Sequence, residues 1–416
     1  MTYDETIQYL YASTPAFHLI GSDAYKPGLD NARKLLQALG NPHQSFRSIH
    51  VAGTNGKGST SHLLAAVMQS AGLRTGLYTS PHLVDFGERI RIDGEKIEQT
   101  YVTHFVEEHH TLLEQIRPSF FETVMAMAFC YFRDRAVDIA VIEVGLGGRL
   151  DATNIITPIL SVITNIGMDH TEYLGNTIEA IATEKAGIIK PHVPVVIGET
   201  DERTTPIFRS KAQQNEAPIV FADRQPDYSS SLTCELHGEY QQHNKQTARV
   251  AIEQLRQSGL PIQDRHIRQG FEQVCRLTKL QGRWQQIHDD PLIICDTGHN
   301  SHGIRHVAHQ LQQLMEHRKL FIIFGMVADK DIDDVLQLMP QQALYHFVAP
   351  DSHRALPAEE MLRRAQNHGL HGQAFESFAE AIEKVLAEAR PTDAIFIGGS
   401  NYLVGTALKY KATHNI

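Results

Sequence analysis

Three short runs constrain the fold most: DIAVIEVG (138–145), ILSVITN (159–165) and VPVVIG (193–198). Each is almost wholly apolar and rich in β-branched residues. A strand with one wet face alternates polar and apolar residues; these do not, so both of their faces must be buried. That calls for a parallel sheet covered by helices, with helical crossovers between strands. RSIHVAG (47–53) reads as a further strand. GSTSHLLAAVMQSAG (58–72) reads as a helix, with Leu63, Leu64, Val67, Met68 and Ala71 at helical spacing and Gly72 as its stop. After the polar segment LTKLQGRWQQIHDDP (277–291) the alternation resumes. LIICD (292–296), LFIIFG (320–325), LYHFVAP (344–350) and AIFIGG (394–399) are strands, with helices predicted over 356–367 and 376–389. The chain of 416 residues is therefore expected to form two α/β domains, 1–283 and 284–416.

Apolar residues make up 42% of the chain and charged residues 21%, with a net charge of −10. No basic run suggests a nucleic-acid or membrane partner. The N-terminal residues MTYDETIQYLYAST lack the basic and apolar regions of a signal peptide, and no apolar run reaches the ~18 residues of a membrane span. Four scattered cysteines without a CxxC pair fit a reduced, cytoplasmic setting. The 24 histidines match no zincin spacing, and most are expected in solvent.

Between the strand 47–53 and the helix 58–72 lies GTNGKGST, Gly53 to Thr60. Strand, glycine turn and helix N-terminus together make a phosphate cradle, because glycines let backbone N–H groups approach the anion. The spacing is not that of a standard P-loop: Lys57 is followed by Gly58, and the hydroxyls of Ser59 and Thr60 come later. Lys57 would hold the β- and γ-phosphates, and Ser59 or Thr60 would offer a hydroxyl to Mg²⁺. A plain Gly/Asn turn is the competing reading of the loop alone. Downstream, Glu143 ends a buried strand, where a nucleotide-bound metal is held. Asp169 and His170 follow the next strand, and Lys185 lies in the last turn of the helix after it. Alone, His170 reads as a structural histidine and Lys185 as a helix C-terminal charge. Their placement after consecutive strands suggests one cluster.

The motifs HVAGTNGKGST, LYTSPHL, FGERIRI, EVGLGGRLDATN, NIGMDHTEYLGNTIEAIATEKAGIIK, GEYQQHNKQTA, GRWQ and CDTGHN occur in that order. Together they closely resemble the folylpolyglutamate synthase/dihydrofolate synthase branch of the Mur ligase family, over residues from about 18 to 410. The short GTNGKGS loop is normal in that family. The resemblance implies a P-loop mononucleotide-binding, three-layer α/β domain with a mainly parallel sheet, and a smaller Rossmann-like α/β domain behind it. It implies that Gly53, Thr54, Asn55, Gly56, Lys57, Gly58, Ser59 and Thr60 form the ATP loop. Asn244, Arg283, Asp296 and His299 match further ATP contacts. Ser59, Ser80, Glu143, His170 and Lys185 match metal ligands, with two Mg²⁺ sites and a carbamylated Lys185. A carbamate is an anion that can bind Mg²⁺, whereas an ammonium would repel it. Lys57, His170, Lys185 and Arg283 are the candidate catalytic residues. Phe121, Glu122, Thr123 and Asp151 are candidate substrate contacts, although SFFETVMAMAFCYF (119–132) reads equally as a core helix. One departure stands out: relatives often carry AHNP where this chain has GHNSHG, which leaves the shape of that loop open.

The resemblance also implies the chemistry: ATP phosphorylates a carboxylate, and the amine of L-glutamate attacks the acyl phosphate. The acceptor would be dihydropteroate, tetrahydrofolate or both, in a cytoplasmic monomer that acts on small molecules. The alternatives are polyglutamylation alone, or another Mur-type amino-acid ligase. Muramyl ligases place a domain before the loop, and the ~50 residues here are too few for one. A nucleotide-binding scaffold without chemistry is the rival from another class; it would not need a metal cluster.

Overall fold

The computed structural model describes residues 1–13 and 28–414. The chain folds as two compact units, Met1–Glu235 with Gln241–Leu280, and Leu236–Tyr240 with Gln281–Ile416. Both are α/β, as expected.

In the first unit, the described residues form an eight-stranded sheet. Its strands are β1 (Arg47–Ala52), β2 (Thr75–Tyr78), β3 (Ile90–Ile92), β4 (Glu95–Lys96), β5 (Ile139–Glu143), β6 (Leu160–Ile163), β7 (Val195–Ile197) and β8 (Ile219–Phe221). Their order is β4-β3-β2-β5-β1-β6-β7-β8. The six strands from β2 to β8 in that order are parallel, and β3 and β4 turn back antiparallel at one edge. Every residue of β5, β6 and β7 is buried, as their lack of alternation requires. The chain runs outward one way from β1 to β2 and the other way from β6 to β8. The carboxyl ends of β5, β1 and β6 therefore sit side by side at a topological switch point, where open α/β sheets bind ligands.

The helix Lys57–Ser70 follows β1. Its sequence suggests one apolar face, yet Ser59 to Met68 are all buried. The helices Gln241–Gln257 and Asp264–Glu272 pack over the face turned away from the sheet. Gly270 of the second of these allows the close approach, since a Cβ there would come within 2.8 Å of the Val67 backbone. His62 lies in this helix, buried, with Nδ1 2.8 Å from the Thr278 hydroxyl. That hydroxyl donates to the Val274 carbonyl, so it accepts from His62. His50 and His346 are buried too, so the solvent reading of the histidines fails for these three. The helix Phe120–Asp134 is a core element, packed in the same apolar cluster as Tyr78, Ile90 and Ile142.

In the second unit the strands are β9 (Gln285–His288), β10 (Leu292–Asp296), β11 (Leu320–Phe324), β12 (Leu344–Val348), β13 (Gly372–Phe375) and β14 (Ala394–Gly398). Their order is β13-β12-β11-β14-β10-β9, parallel except for β9. The helices Ala358–Asn367 and Phe378–Glu388 cover it, close to the predicted spans. Nothing in the sequence marks the excursion Leu236–Tyr240 into this unit. Glu239 anchors it, donating from its backbone to Gln310 at 2.9 Å and pairing its carboxylate with His309 at 2.9 Å.

Candidate active site

Gly56 caps the helix Lys57–Ser70 at φ 80°, with no side-chain cap and no acidic residue in the first turn. A left-handed residue here favours glycine. The helix N-terminus is left suited to an anion. A Cβ on Gly56 would also overlap Oδ1 of Asn244. The loop is held from the end of β6. Thr54 N–H donates to the Asn165 carbonyl at 2.9 Å, and Asn55 N–H to the Asn165 side chain at 2.9 Å. The Thr164 hydroxyl donates to the Asn55 carbonyl at 2.6 Å, and Thr54 Oγ1 bonds the backbone of Gly167. Gln241 Nε2 donates to the Ser59 hydroxyl at 3.1 Å, and Asn244 Nδ2 donates to Gln241 at 2.8 Å. Thr60 is fully buried, with its hydroxyl unpartnered.

Two lysines converge on one oxygen. Lys57 Nζ donates to the Gly53 carbonyl at 3.0 Å and to that of Thr54 at 3.0 Å. Lys185 Nζ donates to the same Gly53 carbonyl at 2.9 Å. Burial, reinforced by the nearby Lys57 charge, pushes the Lys185 amine down to about 7, against the pull of Asp169 and Asp151. At the end of β5 the buried Glu143 carboxylate accepts from Ser80 N–H at 3.3 Å. His170 sits at φ 51°, with Asp169 capping its N–H at 2.9 Å and lying 3.9 Å from its ring. The loop after β5 reaches the Lys185 helix: Arg149 N–H donates to the Glu184 carbonyl at 2.8 Å, and its guanidinium pairs with the Glu184 carboxylate at 2.8 Å.

Of the substrate candidates, Phe121 lies against Gly145, where a Cβ would come within 2.6 Å of the ring, and faces Tyr78 with ring centroids 5.8 Å apart. Glu122 closes a capping box, accepting from Ser119 N–H at 2.7 Å and from its hydroxyl at 2.9 Å. The Thr123 hydroxyl donates to the Ser119 carbonyl at 3.0 Å. The structure thus places these two in the helix cap and core. The buried Asp151 carboxylate accepts from Leu146 N–H at 2.8 Å, Thr153 N–H at 3.0 Å and the Thr153 hydroxyl. Burial raises its pKa against the effect of those bonds.

In the second unit Asp296 ends β10. It accepts from the Tyr240 hydroxyl at 2.6 Å, Trp284 N–H at 2.7 Å and Gly298 N–H at 2.7 Å. Burial raises its pKa, opposed first by the Tyr240 bond. Arg283 bonds the Thr297 hydroxyl and the Gly282 carbonyl. His299 Nδ1 is 2.9 Å from the Thr297 carbonyl, so that nitrogen carries the proton. Asn300 caps the helix Ser301–Met315 through Gly303 N–H at 2.8 Å, which gives the GHNSHG loop its shape.

The model of the Mur ligase middle domain matches residues 51–257, and that of the Mur ligase glutamate ligase domain matches 282–401. The folylpolyglutamate synthase of Lacticaseibacillus casei is 36% identical over 97% of both chains. The dihydrofolate synthase/folylpolyglutamate synthase of Bacillus subtilis is 31% identical over 92% of this chain and 95% of its own. This chain belongs to that branch of the Mur ligase family. Among solved structures, E.coli FolC in complex with DHPP and ADP superposes on this Mur ligase with a TM-score of 0.89 at 27% identity, over 100% of this chain and 99% of that one. The Yersinia pestis bifunctional enzyme complexed with AMPPNP and Mn ion gives 0.86 at 28%, over 99% and 98%.

The middle-domain match in this ligase contains Lys57, Glu143, His170 and Lys185; the glutamate-ligase match contains Arg283, Asp296 and His299. Sequence reasoning missed Thr164, Asn165, Gln241, Tyr240 and Thr297. Tyr240 and Gln241 stand in the motif GEYQQHN, and their polar groups are what gives them away. Among the described residues no three of His, Cys, Asp and Glu gather as metal ligands, and no helix is long and apolar enough to cross a membrane.

Proposed function

We propose that this Mur ligase joins L-glutamate to a folate-type carboxylate at the expense of ATP. The observation that carries the reading is the pair Lys57 and Lys185 on the Gly53 carbonyl, at the N-terminus of an uncapped helix. A lone phosphate loop needs one lysine. A second, buried amine held near neutrality points to further chemistry. A neutral amine adds CO₂ to give a carbamate and a proton, and the Lys185 amine has the pKa for it.

The donors near the loop suit Mg²⁺, which prefers oxygen and keeps substrate phosphates in its shell. They are the Ser59 hydroxyl, the Glu143 carboxylate beside Ser80, and a carbamate on Lys185, with His170 assigned to the same set. The metal would neutralise charge on the transferring phosphoryl group. Lys57 and the helix N-terminus hold the phosphates. The acceptor carboxylate oxygen attacks the γ-phosphorus and ADP leaves; the glutamate amine then attacks the acyl carbon, phosphate leaves and the amine proton passes to solvent. Arg283, Asp296 and His299 are assigned to the nucleotide, and Phe121 with Asp151 to the acceptor side. Domains 1–283 and 284–416 would carry ATP binding and ligation, in a cytoplasmic monomer.

The relatives are named both as folylpolyglutamate synthase and as dihydrofolate synthase/folylpolyglutamate synthase, and we adopt the bifunctional reading. A coupled ADP-release assay tests it, offering dihydropteroate and tetrahydrofolate in turn. Glutamate-dependent release with both is expected. Release with tetrahydrofolate alone would restrict the enzyme to polyglutamylation, and release with neither would remove the ligase reading.

A further inference from the structure

His50 lies mid-strand in β1, opposite Ile142 of β5 and Ser161 of β6, and is fully buried. Its Nε2 is 2.9 Å from the Thr153 hydroxyl, which in turn donates to Asp151 Oδ1. A hydroxyl has one proton. With that proton on the carboxylate, Thr153 can only accept from the ring, so His50 carries its hydrogen on Nε2. Its Nδ1 is left buried with no partner. A buried orphan is unfavourable, and an apolar residue on this strand would avoid it. Burial, then the charge of Lys190, pushes the ring down to about 3, so it stays neutral.

The chain of bonds leads outward. Asp151 holds Leu146 N–H with its other oxygen, and also takes the N–H of Gly145. Gly145 lies against Phe121, and Arg149 grips Glu184, the neighbour of Lys185. Asn154, next to Thr153, donates to the carbonyls of Arg149 at 3.0 Å and Gly187 at 3.1 Å.

We propose that His50 is a positioning residue: through Thr153 and Asp151 it fixes the Gly145–Arg149 loop, and with it Phe121 and Lys185. Fully buried mid-strand, it is assigned no contact with nucleotide or acceptor. Its consequence for turnover rests on the ligase reading above, but the bond chain itself does not.

The test uses the full-length enzyme. His50→Leu and Thr153→Val should each lower kcat/KM for the acceptor by roughly tenfold to a hundredfold, with the KM for ATP nearly unchanged. The double variant should be no worse than either alone, because both break one chain. His50→Gln keeps a donor near the Nε2 position and should recover most of the loss. Imidazole ¹⁵N NMR should show one neutral Nε2–H ring that does not titrate and is missing in His50→Gln. Additive losses, equal rises in both KM values, or the opposite tautomer would overturn the proposal. The NMR result stands even if the wild type shows no glutamate-dependent turnover, so failure of the ligase reading is told apart from failure of this one.

Discussion

Lys185→Met should make the protein more stable and inactive at once, and the gain should depend on pH in a defined direction. Lys185 is buried, with its amine pushed down to about 7 from an ordinary 10.5. Between those values the unfolded chain binds a proton that the folded chain does not, so wild-type stability rises with pH across this window. Below about 7 both states are charged, and the folded state carries the whole burden of the buried ammonium. At about 1.36 kcal/mol for each pH unit between the two values, that burden is at most roughly 5 kcal/mol. At pH 9 about 2 kcal/mol of it remains. Methionine has similar length and no charge. The variant's advantage should therefore shrink by about 3 kcal/mol between pH 6.5 and 9. Loss of the Gly53 hydrogen bond subtracts about 1 kcal/mol at every pH and leaves the slope unchanged. Urea unfolding of both proteins, in metal-free buffer purged of CO₂, reads this directly. Parallel stability curves for the two proteins would refute the buried-ammonium account. On the proposed carbamylation of Lys185, which would replace the cation, adding bicarbonate should then stabilise the wild type alone.

Gly56→Ala meets both a left-handed backbone and Asn244 Oδ1, and should cost about 2–4 kcal/mol in urea melts and abolish ATP binding by calorimetry. Adding Asn244→Ala should restore the steric part only. Asp296→Ala removes the acceptor from Tyr240, Trp284 and Gly298, and should destabilise by about 3–5 kcal/mol in urea melts. Tyr240→Phe breaks one of those bonds and should cost about 1–2 kcal/mol by the same measurement. Chelation of divalent metal should stop glutamate-dependent ADP release, with Mg²⁺ restoring it.

The apolar runs gave away the centre of each sheet because burial on both faces leaves no other composition. The edges were hidden for the converse reason. The three-residue β3 with Arg91 at its centre, the two-residue β4, and QQIH of β9 lie at or next to a sheet edge, so their sequences carry polar residues like any loop. The histidines misled for a related reason. His50 and His62 each bond a threonine hydroxyl that is distant in sequence, Thr153 and Thr278, and no local pattern announces such a pairing.

The site was legible where chemistry and chain position coincide. Lys57 and Glu143 each end or follow a buried strand, so the carboxyl edge of the sheet could be inferred without coordinates. What sequence could not supply is which groups are already committed. Glu122 looks like a polar contact in an apolar helix, but its carboxylate closes the cap on Ser119. Asp151 looks like a free acid in LDATN, yet Leu146, Thr153 and the Gly145 backbone hold it. A carboxylate so occupied acts first by shaping the loop, and a substrate that bonds to it must displace one of those donors. Phe121, backed by Gly145 and Tyr78, needs no such displacement. Loss of its ring should therefore raise the KM for the acceptor and leave that for ATP in place, whereas Asp151→Asn should disturb the loop, and with it kcat.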